Sequence, residues 1–174
     1  MIEKPELFDN LCEVAWETID GLVHLVRDWQ DSSRPTHFVN CDCLINMISS
    51  GLYRDRLYRY EERFSESFDL FGIHTCNWTV DPYLDVLAGL SGELSYLDIG
   101  AESDLEKVHR LFPDLRPAVF YHPEKLRQFT EEEISRDISE LCRKIERGYI
   151  LVTDLEEGTE DGRIRAVYET AATF

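Results

Sequence analysis

The chain has 174 residues, enough for one domain with a buried core, and its 35 acidic against 18 basic side chains give a formal charge of −17. Such a field repels phosphate backbones and anionic lipid, which weighs against nucleic acid and membrane as partners. No apolar run approaches the roughly 20 residues that span a bilayer, the start MIEKPELF lacks the apolar stretch of a signal peptide, and five cysteines without an export signal point to reduced thiols or metal ligands in a cytoplasmic protein.

From Pro5 to Gln30 the residues Leu7, Leu11, Val14, Ala15, Ile19, Leu22, Val23 and Val26 recur at spacings of three and four, which predicts an amphipathic helix with Pro5 in its first turn. The turn-rich DSSRPT follows, and then HFVNC (His37 to Cys41), a short apolar run that suits a buried strand. A helix is expected through DRLYRYEERFSESF, its aromatic residues packed on a sheet, with Tyr58 and Tyr60 as candidates to lie near a planar ligand. The next strand starts at Leu70 and carries LFGIHTCNWTV. Helices are then expected at Asp81 to Leu90, Asp104 to Phe112, Glu131 to Arg147 and from about Gly162. Strands are expected at Leu94 to Ile99, Ala118 to Tyr121 and Tyr149 to Thr153.

Five strands, apolar on both faces and separated by helices, require crossover connections, so the fold class is α/β with a parallel sheet in one domain spanning 1–174. Functional residues in such folds gather where strands end and βα loops begin. Those ends carry Asn40, Cys41, Asp42 and Cys43; His74 and Cys76; Asp98; Tyr121 and His122; and Thr153 and Asp154. In an extended strand residues i and i+2 share a face, so His74 and Cys76 are expected to reach one cation together. An imidazole and a thiolate suit zinc. The competing reading makes Cys76 a small buried hydrophobe and His74 a donor to a nearby carbonyl. His122, before Pro123, is either a proton carrier or the residue that starts a helix over Pro123 to Leu126. Cys142, beside Ile138, Leu141 and Ile145, reads as core, and so does Cys12 with Leu11 and Ala15.

The opening EKPEL before a helix, the strand ending in HTC, and the closing RGYILVTDLEEGT before a last helix resemble the C-terminal part of the uroporphyrinogen decarboxylase superfamily, in its corrinoid-dependent methyltransferase branch. The resemblance implies an incomplete (β/α)8 barrel, its last five strands, with zinc held by His74 and Cys76. It implies zinc-assisted methyl transfer from a corrinoid, carried by a partner protein, to a thiol acceptor. The family's further cysteine lies in a loop after the last strand, where this chain has Asp154 and Leu155. Leu155 therefore marks a lost ligand position, and Cys41, Cys43 or Asp154 become the candidates for the third ligand. Asp42 stands where the superfamily often carries acids, which makes it a candidate polar contact or catalytic group. Two other functions share the fold: a porphyrinogen decarboxylase, which the His-x-Cys pair and the lack of a basic cluster disfavour, and a non-catalytic accessory or binding protein. Five strands leave two open sheet edges, so a homodimer, or a second chain supplying the absent strands, is expected.

Overall fold

The computed structural model describes residues 3–29 and 35–174; Gln30 and most of the DSSRPT break lie outside them. Helix α1 (Pro5–Trp29) leads to strand β1 (His37–Cys41), a short 3-10 turn (Ile45–Met47), α2 (Ser50–Arg56) and α3 (Tyr58–Ser67). Then follow β2 (Leu70–His74), α4 (Leu84–Leu87), β3 (Leu94–Gly100), α5 (Leu105–Leu111), β4 (Ala118–Phe120), α6 (Pro123–Gln128), α7 (Glu131–Ile145), β5 (Tyr149–Leu151) and α8 (Asp161–Ala171). The strands form one sheet in the order β1-β2-β3-β4-β5, every neighbouring pair parallel. This is the alternating β/α arrangement expected from the sequence, and it is consistent with part of a (β/α) barrel.

A parallel sheet whose spatial order equals chain order has its crossovers on one face, because each crossover takes the same hand. The alternate residues Phe71, Ile73, Leu97, Ile99 and Val119 have no exposed surface and face that helical layer. Burying each contributes about 1.5–3 kcal/mol relative to exposure. On the opposite face stand Val39, Gly72 and Tyr96: a Cβ on Gly72 would lie 2.7 Å from Tyr96 Cβ and 3.2 Å from Val39 Cγ2. His74 and Asp98 follow Gly72 and Tyr96 by two residues, so the strand pleat brings them to this same face.

Local rules account for the best-defined helix. The Thr130 side chain accepts from the Glu133 N–H and the Glu133 carboxylate accepts from the Thr130 N–H, a capping box that starts α7. Ile134, Ile138, Leu141 and Ile145 then recur at spacings of four and three and are buried, with Cys142 packed beside them.

Three expectations are corrected. The helix expected through DRLYRYEERFSESF is two helices, α2 and α3, interrupted at Leu57. The helix expected from Asp81 to Leu90 is reduced to the four residues of α4. In α1 no residue is fully buried. Its core-facing residues are Trp16, Ile19 and Val23, while Leu7, Leu11, Val14, Leu22, Leu25 and Trp29 project outward, Leu11 at 60% and Trp29 at 78% exposure. Cys12 is accordingly only half-buried. The helix is apolar on two faces, and α3 takes the one that carries Trp16, whose ring packs on Phe64 and under the Arg63 guanidinium. Among the described residues no helix is long and apolar enough to cross a membrane.

Candidate metal centre

His74 ends β2 directly opposite Asp98 on β3. Its Nδ1–H donates to Asp98 Oδ2, and the same oxygen accepts from the Tyr96 hydroxyl at 3.0 Å. The other Asp98 oxygen accepts from the Thr75 N–H at 2.7 Å, and the Thr75 hydroxyl donates to the Asp98 carbonyl at 2.7 Å. Asp98 has no exposed surface, so these donors replace the water that a buried carboxylate loses. A carboxylate only accepts, so Nδ1 carries the imidazole proton and Nε2 is left with its lone pair turned outward. This is how protein metal sites orient a histidine.

Cys76 Sγ lies 3.2 Å from His74 Nε2. Strand alternation does not put it there, because β2 stops at His74 and Cys76 sits at φ +60° in the left-handed region. The turn after the strand folds back onto the neighbouring strand end: the Gly100 N–H donates to the Trp78 carbonyl at 2.9 Å. A Cβ on Gly100 would stand 2.2 Å from the Asn77 carbonyl oxygen, so only glycine admits this approach. The Trp78 indole N–H in turn donates to the Cys43 carbonyl at 2.8 Å, tying the loop after β1 to the turn after β2. The Asp42 N–H donates to the His74 carbonyl at 2.7 Å and extends that tie.

These constraints converge on Cys43, His74 and Cys76, whose ligand atoms all lie within 4.8 Å of one another. Two sulfurs and an imidazole nitrogen around one ion of tetrahedral preference stand roughly 3.5–3.8 Å apart when bonded at the usual zinc distances. The donors bracket those separations, so the group can hold a metal ion with small side-chain rotations and leave a fourth position for a ligand. Burial, with Cys43 adjacent, pushes the Cys76 thiol up to about 11. The series Cys76, His74, Asp98 also has the order nucleophile, base, orienting acid. Either role needs the thiolate, so in either the proton must first leave Cys76; the second sulfur of Cys43 beside the same imidazole is what a metal site uses and a nucleophile–base pair does not.

The other sequence candidates fall elsewhere. Cys41 is the exposed last residue of β1 and is not in the cluster; partial burial and the nearby Cys43 push its thiol up. Asp154, at φ +54° in the loop after β5, accepts from its neighbour Thr153 and is not a member either; Leu155 is exposed beside it. His122 caps α6, Nδ1 accepting from the Glu124 N–H at 3.2 Å. Tyr58 donates to the Gly89 carbonyl and Tyr60 to that of Asp9, so both phenols brace helices.

Asp42 belongs to a second polar group that only the fold reveals. Asn40 Nδ2 donates to Glu61 Oε1 at 2.7 Å and to Asp42 Oδ1 at 3.2 Å, and the Tyr53 hydroxyl donates to Asp42 Oδ2 at 3.3 Å. Burial pushes Asp42 up to about 6. Burial and the nearby charge of Asp42 push Glu61 well above its ordinary value, and among the described residues Glu61 Oε2 is buried without a hydrogen-bond partner. The role of Asp98 behind His74 was likewise not assigned from sequence, although both stand at strand ends; the signal is their equal height on adjacent strands.

No protein-family model matches this chain, and no curated protein matches it in sequence.

Proposed function

We propose that the chain is the metal-bearing part of a uroporphyrinogen decarboxylase-like methyltransferase, with zinc held by Cys43, His74 and Cys76. The observation that carries this reading is the convergence of two thiols and one oriented imidazole at the ends of adjacent parallel strands. Cys43 supplies the sulfur that the loop around Leu155 lacks. A zinc ion so held would keep an incoming thiol ionised at neutral pH. His74 Nε2, held outward by Asp98, and the two cysteines would fix the position of that ion, and the turn carrying Cys76 would keep one side open. In that reading the acceptor thiol would give its proton to solvent and its sulfur would take the methyl group, the electron pair of the methyl–cobalt bond remaining with the corrinoid of a partner protein. A cytoplasmic setting, where thiols stay reduced, suits the two cysteine ligands.

The sheet's open edges at β1 and β5 favour a second reading, an accessory subunit that keeps the site but needs another chain for catalysis. Zinc content and methyl transfer from methylcobalamin to a small thiol, measured on the same reduced protein, test both. About one zinc per chain, lost in Cys43→Ser, His74→Ala and Cys76→Ser, supports the metal centre. Zinc without transfer supports the accessory reading. Absence of zinc, or its full retention in all three variants, rejects both.

A further inference from the structure

A cavity of about 500 Å³ opens on the β1 side of the metal cluster, with Cys43 in its wall. That volume is in the range of pockets that hold small organic ligands. Most of the wall is apolar: Leu44, Ile45, Met47, Ile48 and Leu57. The wall also includes the ring of Tyr53, whose hydroxyl is already engaged by Asp42. The 3-10 turn forming one side is held in place by the Tyr83 hydroxyl, which lies 2.9 Å from the Ile45 carbonyl and 2.5 Å from that of Ile48. The pocket is therefore largely preformed, and little ordering cost attaches to filling it. Among the described residues no lysine or arginine lines it, and the carboxylate in the wall is that of Asp42, in a chain of net charge −17. An anionic ligand would enter against that field with no cation to receive it.

We infer that this cavity receives the body of the metal centre's thiol ligand, and that the ligand is a small neutral thiol with an apolar body, its sulfur at the Cys43 end. The inference rests on the metal-centre reading and adds the ligand's chemical class. Cys43 serves both parts: its sulfur belongs to the cluster and its residue to the pocket wall, so a molecule seated against Leu44, Met47 and Ile48 points one end at the open metal position.

The test uses the full chain loaded with cobalt(II), whose absorption reports thiolate binding directly. Benzyl mercaptan and 3-mercaptopropionate are titrated against it, two thiols that differ in an apolar ring against a carboxylate. Benzyl mercaptan is expected to bind at least ~10-fold more tightly, the effect of burying a few carbon atoms. Met47 is 76% exposed at the rim, so Met47→Gln leaves the fold intact and adds no charge. It is expected to weaken benzyl mercaptan at least ~5-fold while leaving 3-mercaptopropionate within about twofold. Leu44→Gln, at a second exposed rim position, repeats the measurement, and cobalt stoichiometry checks that each variant keeps its site. Failure of the wild-type chain to take up cobalt or zinc overturns the metal centre and this inference with it. Uptake with equal affinities for the two thiols, or with tighter 3-mercaptopropionate, overturns the pocket assignment alone. So does equal weakening of both thiols by the rim variants.

Discussion

Asp98 fixes the tautomer of His74: a buried carboxylate on β3 accepts from Nδ1, so the lone pair of Nε2 is the one that faces Cys43 and Cys76. Asp98→Asn keeps the shape and replaces a charged acceptor with a neutral amide. Loss of such an orienting partner typically lowers metal affinity by about 10–100-fold. Zinc competition against a chromophoric chelator, at a pH where both proteins are folded, measures this. Unchanged affinity would mean that His74 does not ligate through Nε2.

Metal affinity should rise with pH. Burial and the adjacent Cys43 hold Cys76 up to about 11, so at neutral pH the thiol is protonated and metal binding must displace that proton. Each thiolate ligand formed adds about one to the slope of log affinity against pH below its own pKa, so a slope of at least about 1 is expected from pH 6 to 8 from Cys76 alone. The count of protons released on zinc addition, from calorimetry in buffers of different ionisation enthalpy, gives the same quantity independently. A slope near zero is incompatible with thiolate ligation.

Glu61→Gln should stabilise the fold at neutral pH and have less effect in acid. The carboxyl of Glu61 is raised in the native state, so it binds its proton more tightly folded than unfolded. Its stabilising protonation is complete below the unfolded-state value near 4 and is lost as pH rises through the folded value. Glutamine keeps an acceptor for Asn40 and removes the charge beside Asp42. A gain of about 1–2 kcal/mol at pH 7.5, narrowing toward pH 4.5, is expected from urea denaturation. An equal change at both values would place the effect in packing instead.

Leu155→Cys is expected to leave zinc affinity within about twofold. β5 is the third strand from β2 in the sheet, and at about 4.8 Å per strand their ends stand roughly 14 Å apart across a flat sheet. Cys43, two residues beyond β1 on the strand next to β2, already fills the nearby position. Tighter binding in the variant would show that the loop after β5 closes over the site.

We propose that the edge strands β1 and β5, together with the outward apolar residues of α1, pair with a second chain. Sedimentation equilibrium over a dilution series should show self-association, most simply a two-fold dimer, or should show a heteromer when the complementing chain is present. A folded species that remains near 20 kDa throughout contradicts this.

The fold was legible where local pattern and tertiary placement agree. LSYLDI read as a strand because a central parallel strand is largely buried, and α7 as a helix because its apolar spacing fits one buried face; HFVNC also forms a strand, but at the sheet edge it is exposed at both ends and nowhere fully buried, against the buried strand expected. α1 was legible as a helix but not in orientation, since periodicity cannot say which of two apolar faces meets α3. The site was half legible. His74 and Cys76 were visible as a pair, but their approach depends on a turn packed against Gly100, 24 residues later. Cys41 and Cys43 could not be told apart, because the choice between them is made where β1 ends and the chain turns back to Trp78. Asn40 and Glu61, 21 positions apart, have no local signature at all.

The match between spatial order and chain order along the sheet bears on how the protein is made. Each new strand lays itself beside one synthesised a few tens of residues earlier, so no strand has to be inserted between two already paired. Folding can therefore follow the ribosome from the N-terminus, with modest loop-closure cost at each step. β2 and β3 complete most of the metal cluster's surroundings by Gly100, so the site can form before α7, β5 and α8 have left the exit tunnel.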